Sequence, residues 1–241
     1  MKHARKYLYV TGGKGGVGKS TLSQALVDYV SATKRTVLLI DADPTNPDSS
    51  ACFKPGKDKN VRTQRIRIRS EDATGQSDNS GLIETLNSAQ SDDCDVVIVD
   101  APAGDTALIS ETGSLITDAC RQMSVMSIFI IVLDSNDRTA ANALSAIWSS
   151  ILNADLVLFV KNDRKGSSFE FFENSKIFKL VEKTSKVKII HFPKMASRIE
   201  SHLRIDRMTW SEVASVTPIG NRVEAARLRE IFHRNFASVG I

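Results

Sequence analysis

Residues Gly13 to Ser20 spell G-K-G-G-V-G-K-S, matching the spacing G-x-x-x-x-G-K-[ST] between a short apolar run and a helix-period run from Thr21 to Val30. That spacing suits a polyphosphate. Gly13, Gly15, Gly16 and Gly18 allow successive backbone N–H groups to converge on phosphate oxygens with no Cβ in the way, and the start of the following helix adds a favourable dipole. The candidate cradle is Gly13, Lys14, Gly15, Gly16, Val17, Gly18, Lys19, Ser20 and Thr21. Within it, Lys19 is expected to neutralise β- and γ-phosphate charge and the Ser20 hydroxyl to ligate Mg²⁺. Two carboxylate stations follow further along. Asp41-Ala42-Asp43-Pro44-Thr45-Asn46 comes directly after the apolar run Val37–Ile40, and Asp100 closes Val96–Val99. A carboxylate at the carboxyl end of a parallel strand is well placed for a cation or a water molecule. Asp100 has the form of a Walker B aspartate, so Ser20, Asp43 and Asp100 are the candidate metal residues.

These residues must be positioned by strands and helices. Short β-branched runs at Tyr7–Val10, Thr36–Ile40, Val96–Val99, Ser127–Leu133, Leu156–Val160 and Val187–His191 alternate with longer helix-period segments. This is the pattern of βα units. Runs such as Val96–Val99 are apolar without alternation, as expected for strands covered on both faces. The predicted fold is α/β: a P-loop NTPase fold with a mostly parallel twisted sheet and helices on both faces, in one domain spanning 1–241. Val61, Ile66 and Ile68 alternate with arginines and predict an exposed edge strand; Asp72 to Ser80 predicts a polar loop. Pro218-Ile219-Gly220-Asn221 leads into a helix with Leu228, Ile231, Phe232, Phe236 and Val239 on one face. That face suits packing on the sheet, while its basic flanks also suit nonspecific DNA or a membrane surface.

Lys14 makes the loop K-G-G-V-G-K-S-T, which resembles the deviant Walker A sequence of the ParA/MinD ATPases. The resemblance implies ATP as ligand with Mg²⁺, and a homodimer that forms on ATP binding, with Lys14 reaching the phosphates bound by the other subunit. It implies Lys14, Lys19, Asp43 and Asp100 as the catalytic set, Asp43 matching the residue that positions the attacking water. Thr45 stands where the family's first switch has glutamine. Ala101-Pro102-Ala103-Gly104 is similar to the second switch, where the Gly104 N–H would sense the γ-phosphate. Asn162, after the strand Leu156–Val160, matches an asparagine that hydrogen-bonds adenine in the family, although Asn-Asp is also ordinary turn chemistry.

The bulk numbers leave this reading intact. Apolar content of 41% and charged content of 25% are those of a folded globular chain. The longest strongly apolar stretch, Met123 to Leu133, is too short to cross a bilayer. The basic start, Lys2, Arg5 and Lys6, lacks the apolar region of a secretory signal. Cys52, Cys94 and Cys120 have no metal-knuckle or redox spacing, which fits a reducing cytoplasm. His3, His191, His202 and His233 are dispersed and suggest no catalyst. The first strand begins at about residue 6, which predicts no N-terminal helix-turn-helix and therefore a separate DNA-binding adaptor protein. Formal charge is +4, and Lys161 to Ile241 holds sixteen bases against nine acids, so nonspecific DNA is a further expected partner. The favoured output is plasmid or chromosome partition. A MinD-like membrane-associated positioning ATPase and a plasmid conjugation accessory ATPase are the alternatives. A metabolic ligase or a metallocluster carrier is disfavoured, the latter because Ala101 to Asp105 contains no cysteine.

Overall fold

A computed structural model describes residues 4–43, 47–54, 56, 58–71, 77–135 and 137–241. Thr45 and His3 lie outside the described residues. In chain order the elements are β1 (Lys6–Thr11), α1 (Lys19–Ala32), β2 (Val37–Asp41), β3 (Val61–Arg65), β4 (Ser70–Glu71), β5 (Ser77–Asp78), α2 (Ser80–Ser91), β6 (Val96–Asp100) and α3 (Thr106–Gln122). They continue with β7 (Met126–Asp134), α4 (Ala140–Ile151), β8 (Leu156–Asn162), α5 (Glu170–Glu173), α6 (Lys176–Val181), β9 (Val187–Phe192), α7 (Ser197–Arg204), α8 (Trp210–Val216) and α9 (Ile219–Ser238).

Seven strands form one parallel sheet in the order β3-β2-β6-β1-β7-β8-β9. Successive side chains of each strand point to opposite faces, which divides the core in two. Tyr7, Tyr9, Val97, Val99, Phe129 and Ile131 pack with α2 to α6. Leu8, Val10, Ile98, Ile128 and Ile130 pack with α1, α7, α8 and α9. The predicted α/β class holds, and so do all six predicted strands. Each full burial of a Leu, Ile or Phe contributes about 1.5–3 kcal/mol, so this double-faced sheet is the rigid part of the molecule.

Chain direction changes sides around β1, because β2 and β6 lie to one side of it and β7 to β9 to the other. In an open α/β sheet a crevice opens outside the strand ends at such a reversal. Both the phosphate loop and Asp100 follow strands that border it.

Three expectations need adjustment. The predicted edge strand is present as β3, but it ends at Arg65. Ile66 and Ile68 turn inward and are buried, because the core below α2 has apolar space to fill. Of the predicted polar stretch, residues 72–76 lie outside the described residues, β5 pairs antiparallel with β4 just before the stretch, and α2 already begins at Ser80. The C-terminal helix packs on the sheet: Ala225, Leu228, Phe232 and Phe236 are buried, whereas Ile231 and Val239 are only half-buried. Asp28 of α1 receives Arg229 at 2.9 Å and His233 at 2.8 Å, joining α9 to the helix that follows the phosphate loop. The apolar face of α9 is therefore used inside the protein.

Candidate functional site

β1 delivers the chain into Gly12 to Gly18, and α1 starts at Lys19. Gly18 has φ 103°, and a Cβ on it would overlap the Asn162 amide nitrogen, so glycine is required there on both counts. The first turn of α1 has no acidic residue, and its N-terminus has no side-chain cap. Its backbone N–H groups face the cleft with the partial positive charge of an uncapped helix start, the arrangement that takes an anion. Lys19 is buried at this point, while Ser20 and Thr21 line the same cleft of about 310 Å³.

The carboxylates come from neighbouring strands. Asp41 and Asp100 sit side by side in the β2–β6 register, and both are buried. Burial, reinforced by the charge of Asp41, pushes the Asp100 carboxyl up to about 7; hydrogen bonding from Ser20 and the charge of Lys19 act the other way. Asp100 also accepts a 3.1 Å hydrogen bond from Ser23. Asp41 is occupied differently. It accepts from the Ser49 hydroxyl at 3.0 Å and from the Ser50 N–H at 2.9 Å, so it anchors the segment that follows Asp43. Asp43 lines the cleft.

Beyond Asp100 the chain passes close over the phosphate loop. A Cβ on Gly15 would lie 3.6 Å from Ala103. Gly104 takes φ 68°, the left-handed turn that starts α3. Behind it Asp105 is completely buried and accepts a 2.6 Å hydrogen bond from Thr11, the last residue of β1. Its carboxyl is pushed up to about 6 by burial, partly offset by Thr11 and by Lys19. The buried Tyr9 hydroxyl lies beside it and also acts to lower its pKa.

Lys14 projects from the opposite side of the loop with its side chain 40% exposed. Its ammonium lies 3.6 Å from Asp134 and 3.5 Å from Asp137. Asp134 also pairs with Lys165 at 2.8 Å, and Asp137 accepts the N–H and hydroxyl of Thr139 at the start of α4. Asn162 is buried, donating to the Val17 carbonyl at 2.7 Å and accepting from the Arg164 N–H at 3.2 Å. The contact it makes in this structure is a brace on the phosphate loop. Among the residues predicted from motifs, Gly15, Gly16, Gly18, Lys19, Ser20, Thr21 and Asp43 line the one cleft. Val17 is buried behind the loop, and Lys14 stands on its outer side.

Sequence reasoning missed Asp105, Asp134, Asp137 and the far wall of the cleft, formed by Arg164, Glu200 and Arg204. Asp134 carried a signal, since it closes a buried strand as Asp100 does. Glu200 and Arg204 carried none, because they arrive on a helix far along the chain. A second cleft of about 410 Å³ lies between α1, the start of β3 and α8. It contains none of the residues Gly13 to Ser20.

Comparison with known proteins agrees with this fold. The model of the CobQ/CobB/MinD/ParA nucleotide-binding domain matches residues 8–187. Protein MobD of Acidithiobacillus ferrooxidans is 31% identical over 227 residues, covering 93% of each chain. Protein TraL of Escherichia coli is 36% identical over 88 residues, covering 36% of this chain and 32% of TraL. Among solved structures, the Pyrococcus furiosus cell division ATPase MinD superposes with a TM-score of 0.56 at 17% identity, covering 95% of this chain and 99% of that one. A nucleotide-binding protein from Archaeoglobus fulgidus in complex with ADP superposes with a TM-score of 0.50 at 16% identity, covering 88% and 89%. With its phosphate loop, paired strand-end aspartates and matched domain, the chain belongs to the CobQ/CobB/MinD/ParA family of nucleotide-binding proteins.

Proposed function

We propose that the chain is a Mg²⁺-dependent ATPase that dimerises around ATP and acts as a nucleotide-timed accessory protein in plasmid mobilisation or transfer. One observation supports the enzymatic part above the rest. The uncapped start of α1, Lys19, Asp43 and Asp100 converge at the carboxyl ends of three adjacent strands, β1, β2 and β6. Phosphoryl transfer needs positioning and charge compensation more than a protein nucleophile, and this set supplies both.

The donor set suits Mg²⁺. The ion keeps several waters and shares phosphate oxygens, so one or two carboxylates with a hydroxyl are enough to hold it. Ser20 and Asp100 would hold it, and two buried aspartates side by side form a spot that a cation relieves. When bound, the ion would compensate charge on the transferred phosphoryl group. Among the described residues no cluster of three or more His, Cys, Asp or Glu side chains forms a cage by itself, and water and phosphate oxygens would complete the coordination. Lys19 neutralises the phosphates, and Asp43 orients the attacking water. Gly104, on its left-handed turn, presents its N–H to the γ-phosphate. Lys14 leaves Asp134 and Asp137 to reach the nucleotide of a second subunit, and hydrolysis is slow until a partner stimulates it.

For the output, similarity to MobD along nearly the whole chain and to TraL over a third of it supports a role in mobilisation or transfer. Partition is the second reading, resting on the basic C-terminal third. Many of those bases are already paired within the chain, as Arg164 and Arg204 with Glu200, Arg227 with Glu224, and Arg234 with Glu230. Membrane tethering through α9 loses its basis because the apolar face is buried, and among the described residues no helix is long and apolar enough to cross a membrane. The decisive measurement is mass by light scattering with ADP, with ATP, and with ATP plus Lys14→Ala. A dimer with ATP alone in the wild type, lost in the variant, is the expected result. A monomer throughout, or equal dimer with ADP, overturns the switch. Filter binding to DNA at about 50 mM salt then separates the outputs, since retention that falls steeply with salt favours partition.

A further inference from the structure

The cleft has two ends of different chemistry. Gly15, Gly16, Gly18 and Lys19 form the phosphate end, and Arg164, Glu200 and Arg204 form the far wall. A carboxylate in a polyphosphate site opposes its ligand's charge, so Glu200 needs a reason to be there. Two arginines fix its position. Arg164, in the turn just after β8, lies 2.5 Å from its Oε1, and Arg204, one turn along α7, lies 3.4 Å from the same oxygen. Both contacts use Oε1. Among the described residues, Oε2 has no hydrogen bond or ion pair. The side chain is 20% exposed, less than either arginine.

We propose that Glu200 is the ribose-recognising residue of this cleft, its Oε2 accepting the sugar hydroxyls while Arg164 and Arg204 hold the carboxylate in place. This rests on the nucleotide reading given above. With the phosphates held at the glycine loop, the sugar is the next group outward, and the least exposed side chain of the far wall is the one placed to meet it. An ionised carboxylate accepts hydrogen bonds only, and the hydroxyls are donors that every ribonucleotide presents whatever its base. Arg204 also approaches Asp48 at 4.0 Å, which ties α7 to the segment after Asp43.

The test is calorimetric binding of ADP, 2′-deoxy-ADP, 3′-deoxy-ADP and IDP to the full chain and to Glu200→Gln, with Mg²⁺ present. ADP avoids dimerisation and turnover. A hydrogen bond to a charged group supports a discrimination of about tenfold or more. The wild type should bind ADP at least that much tighter than one of the deoxy analogues, and the ratio should fall towards one in Glu200→Gln through weaker ADP binding alone. Equal wild-type affinities for ADP and both deoxy analogues overturn the assignment without any variant, as does a ratio that survives in Glu200→Gln. A change confined to ADP against IDP overturns it in favour of the base amine. Absence of ADP binding altogether is a separate outcome, which removes the nucleotide reading together with this inference.

Discussion

The Lys14 ammonium lies between Asp134 and Asp137 of its own chain, 3.6 and 3.5 Å from their carboxylates. The lysine proposed to reach a partner's nucleotide is thus held at home by charge, and leaving costs those two contacts. Weakening one of them should favour release. Asp137→Asn keeps acceptor capacity for Thr139 but removes charge, so it is expected to lower the ATP concentration for half-dimerisation by a few-fold. The effect is modest because Lys14 is well solvated. Light scattering across an ATP titration checks it; an unchanged or raised midpoint rejects the restraint.

Asp105 is fully buried with its carboxyl pushed up to about 6, against about 4 in an unfolded chain. A carboxyl with a raised folded value prefers the proton in the folded state. The stability it lends is therefore present below about pH 4, is lost as pH rises from 4 to 6, and is absent above. Asp105→Asn should stabilise the fold by up to about 3 kcal/mol at pH 8 and by almost nothing at pH 4. Urea melts at the two pH values decide it, and a loss of stability at pH 8 contradicts the account.

Asp100, with its carboxyl pushed up to about 7, must ionise before it can help hold a cation. Mg²⁺-dependent ADP affinity is expected to fall as pH drops from 8 to 6, approaching tenfold per unit at the acid end. Asp100→Asn should bind more weakly and lack that component of the profile. Titration calorimetry at pH 6, 7 and 8 on both proteins measures the difference, which also cancels the titration of ADP itself.

Phe232 of α9 is fully buried against Trp210 at 5.0 Å and Phe192 at 5.9 Å between ring centroids. Phe232→Ala is expected to cost about 3–5 kcal/mol in denaturant melts. Deletion from Asn221 onward would strip α1 of its cover and yield an unfolded or aggregated chain. A soluble, fully folded deletion variant would restore the case for a detachable membrane helix.

Legibility differed by element. The six predicted strands and the phosphate loop were plain because each depends on local rules: β-branched apolar runs, and glycines at fixed spacing before a helix. Val61–Arg69 was half legible, since the arginines advertised an edge while nothing local showed that Ile66 and Ile68 would turn inward beneath α2. Asn162 could be placed after a strand, but its contact with the Val17 carbonyl depends on Gly18 lacking a side chain where the two segments meet.

By itself the sequence determined the α/β class, the glycine loop Gly13 to Ser20 between a strand and a helix, and the placing of Asp43 and Asp100 just after or at the ends of buried strands, because spacing and polarity along the chain are sufficient for these. Tertiary structure alone decided that Lys14 rests on Asp134 and Asp137, that Asp105 is buried under Thr11, that the basic face of α9 is partly neutralised by Asp28, and that Glu200 closes the cleft. The reason is distance along the chain. Each of these is an encounter between polar or charged groups from separate elements, and only the order of strands around β1 and the two-faced packing of the sheet bring them within reach.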